Sequence, residues 1–138
     1  MSESFILPTE QDTLAFGVPL AERLRAGGVV YLSGNLGVGK TTLVRGLLRA
    51  LGHDGRVKSP SYGLIESYEL EDLSVHHLDL YRLGHPEEIE YLGIADLLDG
   101  NSLLLVEWAE KGSGYLPPAT MRIRIEDLPD QRRRLDIL

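Results

Sequence analysis

Gly34-Asn35-Leu36-Gly37-Val38-Gly39-Lys40-Thr41 matches G-x-x-x-x-G-K-[ST] at every fixed position. No other stretch of the chain limits the fold so tightly, because such a loop works only between a buried strand and the start of a helix. Both flanks are present. Val29-Val30-Tyr31-Leu32 is a short unbroken apolar run, the pattern of a strand covered on both faces. Downstream, Val44, Leu47, Leu48 and Leu51 share one helical face, and Gly52 ends the helix. The glycines let successive backbone N–H groups turn inward toward an anion without Cβ clashes, and the positive end of the helix dipole points at the same place. Lys40 is therefore expected to reach the β- and γ-phosphates of a nucleotide, and the Thr41 hydroxyl to ligate Mg2+. A glycine-rich turn that merely caps a helix does not account for motif and context together.

A metal beside such a loop calls for a carboxylate at the end of a neighbouring buried strand. Leu103-Leu104-Leu105-Val106-Glu107 has that form, four aliphatics and then an acid. Asp79 competes from behind the weaker run Val75-His76-His77-Leu78. We expect Glu107 at the metal, directly or through water, and Asp79 orienting water or supporting the metal from behind. The plainer readings are a strand-end carboxylate for Glu107 and a turn-capping role for Asp79.

The remaining patterns fill in an α/β architecture. Phe5-Ile6-Leu7 reads as a short edge strand stopped by Pro8, and Thr9 followed by Asp12 as a helix start. Leu14, Val18, Ala21 and Leu24 keep helical spacing up to Gly27-Gly28. Residues 64–69 and 75–80, around the acidic turn Glu71-Asp72, read as an antiparallel hairpin. Residues 86–91 and 94–98 read as short helical pieces, 103–106 as a deeply buried strand, and 121–125 and 134–138 as a last strand pair. Together they predict a P-loop NTPase-like mixed, mostly parallel sheet with helices on both faces. With 138 residues and no linker or internal repeat, one domain spanning 1–138 is expected.

Composition removes whole classes of function. There is no cysteine, which excludes disulfides, thiolate metal sites and Cys nucleophiles. A net charge of −7 leaves no general surface for gripping nucleic acid. No apolar stretch nears the ~20 residues of a membrane span, and residues 1–10 lack a signal-peptide pattern, so a soluble, cytoplasmic protein is expected. Guanine recognition by N-K-x-D and a D-x-x-G switch are both absent from the sequence, which favours ATP over GTP. An arginine-rich lid, usual in small-molecule kinases, is also missing; Arg132-Arg133-Arg134 lies almost at the C-terminus. Alternation along a strand would turn Arg133 away from its two neighbours. The same alternation sends His76 and His77 to opposite faces, so they cannot share one metal ion.

Residues 34–42, then Ser59-Pro60-Ser61-Tyr62, His77-Leu78-Asp79-Leu80-Tyr81-Arg82 and Glu107-Trp108, in this order and spacing, resemble the TsaE-type ATPases of bacterial tRNA threonylcarbamoyladenosine biosynthesis. The likeness runs over nearly the whole chain. It implies an Mg2+-dependent ATPase that acts on a two-protein transferase complex, which threonylcarbamoylates adenosine 37 of tRNAs reading ANN codons. With no broad basic surface on an acidic chain, tRNA is expected to be reached only through those partners. By the same resemblance Thr41 and Glu107 fall on magnesium positions, and Gly37, Val38, Gly39, Lys40, Thr41 and Thr42 on phosphate contacts. Glu10, Thr13 and Arg133 fall near the adenine. Ser61 stands where the family usually has Thr; the hydroxyl is kept, and with it a γ-phosphate or water-positioning role. Two other functions fit a phosphate loop: a nucleotide sensor with negligible hydrolysis, and a small-molecule kinase. The paired acids weigh against the first and the missing lid against the second. Trp108 reads either as core packing or as a shield over the site.

Overall fold

The computed structural model describes residues 2–35, 37–60, 64–98 and 100–138. Among these residues the strands are β1 (Glu3–Leu7), β2 (Gly28–Ser33), β3 (Ile65–Glu69), β4 (Ser74–Asp79), β5 (Ser102–Glu107), β6 (Met121–Asp127) and β7 (Arg133–Ile137). They form one sheet in the order β1-β7-β6-β2-β5-β4-β3. The inner strands β6, β2, β5 and β4 run parallel, while β3 joins one side antiparallel and β7 and β1 the other. The sheet is mixed and mostly parallel, with only β3 and β7 reversed.

The sheet is covered on both faces because its strands alternate two apolar sets. Val30, Leu32, Leu103 and Leu105 join a core with the helices α2 (Gly17–Leu24) and α3 (Lys40–Ala50). Val29, Leu104 and Val106 join a second core with Ile89 and Ile94, which belong to a 3-10 helix, Pro86–Leu92, and the single-turn α4 (Ile94–Leu97). β5 is buried at all its residues, which is why its sequence shows no alternation between apolar and polar.

The expected first helix is two. Thr9 caps α1 (Glu10–Ala15) in a capping box with Asp12: the Thr9 hydroxyl accepts from the Asp12 N–H at 3.2 Å, and the Asp12 carboxylate accepts from the Thr9 N–H at 3.0 Å. The helix then breaks at Phe16 and restarts as α2. Val18, expected on the core stripe, is 58% exposed, whereas Ala21 and Leu24 face inward as expected and Gly17 and Leu20 join them. The break sets α1 and α2 so close to α3 that side chains are excluded. A Cβ on Gly17 would lie 2.1 Å from the Gly46 carbonyl carbon, and one on Gly46 2.1 Å from the Leu14 oxygen. This backbone contact fixes α3, and α3 carries the start of the site.

Candidate functional site

The loop leaves β2 at Ser33 and enters α3 through Gly39, whose φ of 108° suits a residue without Cβ. α3 therefore presents its unpaired N-terminal N–H groups at the C-terminal edge of the parallel strands. β5 lies beside β2 with Glu107 paired to Leu32, and β4 lies beside β5 with Asp79 paired to Glu107. Topology thus lines up the loop and both acids along one edge.

Lys40 is buried at 6% exposure, and its Nζ donates to the Gly34 carbonyl at 2.7 Å. The same ammonium lies 3.5 Å from Glu107 Oε1 and 5.0 Å from the centre of the Trp108 ring. Glu107 Oε2 accepts from His77 Nε2 at 2.6 Å. Burial alone would raise the Glu107 pKa. The hydrogen bond and charge of His77, together with the Lys40 ammonium, outweigh that and hold the carboxyl below its usual range. Trp108 is half-buried between Lys40 and Tyr81, whose ring lies 5.1 Å away, so it both packs and covers the lysine. Asp79 is half-buried, and its Oδ1 accepts from the Tyr81 N–H at 3.0 Å, the capping bond of the plainer reading.

Two clefts flank the loop. One, of about 290 Å³, is lined by Gly37, Gly39, Lys40, Thr41, Thr42, Ser59, Asp79 and Glu107. The other, of about 240 Å³, is lined by Thr9, Glu10, Thr13, Gly37, Val38, Gly39, Thr42, Gln131 and Arg133. Gly37, Gly39 and Thr42 line both, so the two clefts meet at the loop. The residues read as catalytic, metal-binding or nucleotide-binding each line one cleft or the other, except Ser61, which lies outside the described residues; Trp108 lines neither. Larger hollows exist, about 430 Å³ beside Tyr31 and Arg122, about 440 Å³ beside Asn35 and Trp108, and about 610 Å³ beside Ile94 and Tyr115. Only the one at Asn35 touches the loop, and its charged lining, Arg124, Glu126 and Asp127, is half-buried or exposed.

Arg133 Nε donates to the Val38 carbonyl at 2.8 Å, and its guanidinium pairs with Asp127 at 2.9 Å, tying the loop to β7. Arg134 turns to Glu126 and Asp136, as the alternation requires. Sequence reasoning missed this tether. It also set His77 aside once a shared metal with His76 was excluded. His76 does face the other way, its Nδ1 2.7 Å from the Ser67 hydroxyl. The signal for His77 was its two-residue spacing from Asp79, which puts both on one face.

Among the described residues no group of three or more His, Asp or Glu side chains is arranged to enclose a metal. The Thr41 hydroxyl and the Glu107 carboxylate in one cleft are hard oxygen donors, too few to form a cage alone. That donor set fits Mg2+, which binds through one or two protein oxygens plus phosphate and water.

A family model described as "Threonylcarbamoyl adenosine biosynthesis protein TsaE" matches residues 7–135. The Haemophilus influenzae "tRNA threonylcarbamoyladenosine biosynthesis protein TsaE" is 44% identical over 137 residues, covering 96% of this chain and 86% of that protein. The protein of the same description from Rickettsia bellii is 35% identical, covering 99% and 95%. The crystal structure of Bacillus subtilis YdiB superposes with a TM-score of 0.80 at 27% identity, covering 99% of this chain and 84% of that one. With the family pattern matched across nearly its whole length and the fold shared with a solved relative, the chain belongs to the TsaE family of tRNA threonylcarbamoyladenosine biosynthesis.

Proposed function

We propose that this chain, acting as a single domain in the cytoplasm, binds and hydrolyses Mg·ATP in the clefts at residues 34–42, and that hydrolysis serves a two-protein complex which threonylcarbamoylates adenosine 37 of tRNAs reading ANN codons. One observation carries the reading: the buried Lys40 ammonium, the Thr41 hydroxyl and the acids Asp79 and Glu107 converge on one cleft at the N-terminus of α3.

The α3 N–H groups and the loop amides receive the phosphate oxygens, and Lys40 exchanges its bond to the Gly34 carbonyl for the β- and γ-phosphates. Thr41 and Glu107 hold Mg2+, which when bound neutralises charge developing on the γ-phosphoryl group. Asp79 orients the attacking water from the neighbouring strand end. The cleft lined by Glu10, Thr13 and Arg133 takes the adenosine, and Arg133 keeps the loop in shape through Val38. A net charge of −7 directs the chain to tRNA through its protein partners.

Labelled ATP incubated with the chain, alone and with the partner proteins, tests this reading. Phosphate release that quickens on adding the complex is expected. Absence of release in both mixtures favours a nucleotide sensor, and transfer of label to a small molecule a kinase.

A further inference from the structure

Of the buried polar residues that the mechanism above does not use, His77 is the most deeply buried. His77 is 1% exposed and sits in a layer of aliphatic side chains that includes Val75 and Leu105. Burying an imidazole is costly unless its nitrogens are hydrogen-bonded. Its Nδ1 has no hydrogen-bond partner among the described residues, and its Nε2 meets Glu107 Oε2 at 2.6 Å. A leucine would fill the space at lower cost, so the bond to Glu107 is what the imidazole contributes. Strand register puts it there: Asp79 pairs with Glu107 across β4 and β5, and His77, two residues earlier on the same face, reaches forward to the carboxylate.

The two oxygens of Glu107 are held from different sides, Oε2 by His77 and Oε1 by Lys40 at 3.5 Å. Lys40 is the partner that must leave when phosphate arrives, whereas His77 has no competing partner among the described residues. We propose that His77 is a positioning residue for Glu107. It grips one carboxylate oxygen throughout, so that the other stays turned into the phosphate-side cleft when Lys40 moves. A glutamate swinging on three torsions would otherwise have to be ordered at each binding event. Partners behind a metal-binding carboxylate ordinarily tune the metal's affinity in this way. The inference rests on the Mg·ATP reading above.

The test compares the parent with H77Q, H77N, E107Q and the double variant H77N/E107Q. Gln places an amide N–H near the position of Nε2, whereas Asn carries the same group one methylene short. ADP is titrated calorimetrically without metal, Mg2+ is then titrated into the ADP complex, and kcat and KM for ATP are measured alongside. H77N is expected to keep the parent's metal-free ADP affinity and to need about 10- to 100-fold more Mg2+. Its kcat should fall with KM nearly unchanged, H77Q should recover most of both losses, and H77N should add nothing to E107Q. If H77N does not fold, H77L fills the same space without a donor and takes its place. Parent-like Mg2+ dependence in H77N, or losses that add to those of E107Q, would overturn the positioning role alone. A parent that gains nothing from Mg2+ would overturn the Mg·ATP reading and the positioning role with it.

Discussion

Asp79 and Glu107 are register partners at the ends of two adjacent parallel strands, yet only Glu107 is buried between a lysine and a histidine. Asp79 stands half-open on the same cleft with one oxygen committed to the Tyr81 N–H. Equivalent places in the sheet thus carry different electrostatics, and the two acids should fail differently. Glu107→Gln should weaken Mg2+ binding and turnover together. Asp79→Asn should lower turnover by about 10²-fold, the cost of a misplaced attacking water, and leave ADP affinity within a factor of about two. Phosphate release and calorimetry on both variants check this; equal defects in both would remove the division of roles.

The Lys40–Glu107 pair is buried on both sides, so removing the cation leaves an under-partnered carboxylate. Because His77 still holds one oxygen, Lys40→Met should cost about 1–3 kcal/mol in the nucleotide-free protein, read from a urea unfolding curve. An unchanged midpoint would mean that the pair adds nothing to the fold.

Gly46 admits the backbone of α1 against α3. Gly46→Ala puts a methyl 2.1 Å from the Leu14 oxygen, a contact that only backbone movement can relieve. Destabilisation of about 1–3 kcal/mol is expected, together with weaker nucleotide binding as α3 shifts. Thermal melting and ADP titration test it; a variant as stable as the parent would show that the helices separate freely.

Asp136 is buried under polar neighbours rather than in the apolar core. The Ser4 hydroxyl donates to it at 2.5 Å, and Arg124 and Arg134 lie at 3.0 and 3.3 Å. The Ser4 hydrogen bond is the largest influence and, with the two arginines, outweighs burial to hold the carboxyl below its ordinary value of 3.8. A depressed native pKa adds stability that is complete above the unfolded value and lost as pH falls through the native one. Asp136→Asn should therefore be less stable at neutral pH and lose less on acidification. Urea midpoints from neutral pH to about pH 3 read the difference; parallel curves for parent and variant would contradict it.

Much of this was legible in the chain because it depends on short spacings. The loop motif, the aliphatic runs of β2 and β5, and the Thr9–Asp12 cap are local, and local patterns survive folding. Val18 was misplaced because a helix that restarts at Phe16 breaks the period its stripe was counted on. Strand order hid the task of His77: nothing near residue 77 reveals that β5 lies beside β4 in a register that brings Glu107 within reach. Arg133 bonding to Val38 likewise joins residues far apart in sequence, through β7 folding back near the loop. The resemblance pointed to Arg133; the physics of its bond to the loop came from the fold.

The proposed function requires that the loop and its lysine hold ATP. Calorimetric titration of Mg·ATP into the parent and into Lys40→Ala tests it most directly. Saturable binding by the parent is expected, weakened in the variant by about 1.5–3 kcal/mol, the worth of a charge-assisted contact to phosphate. Equal affinity in the two proteins would contradict it.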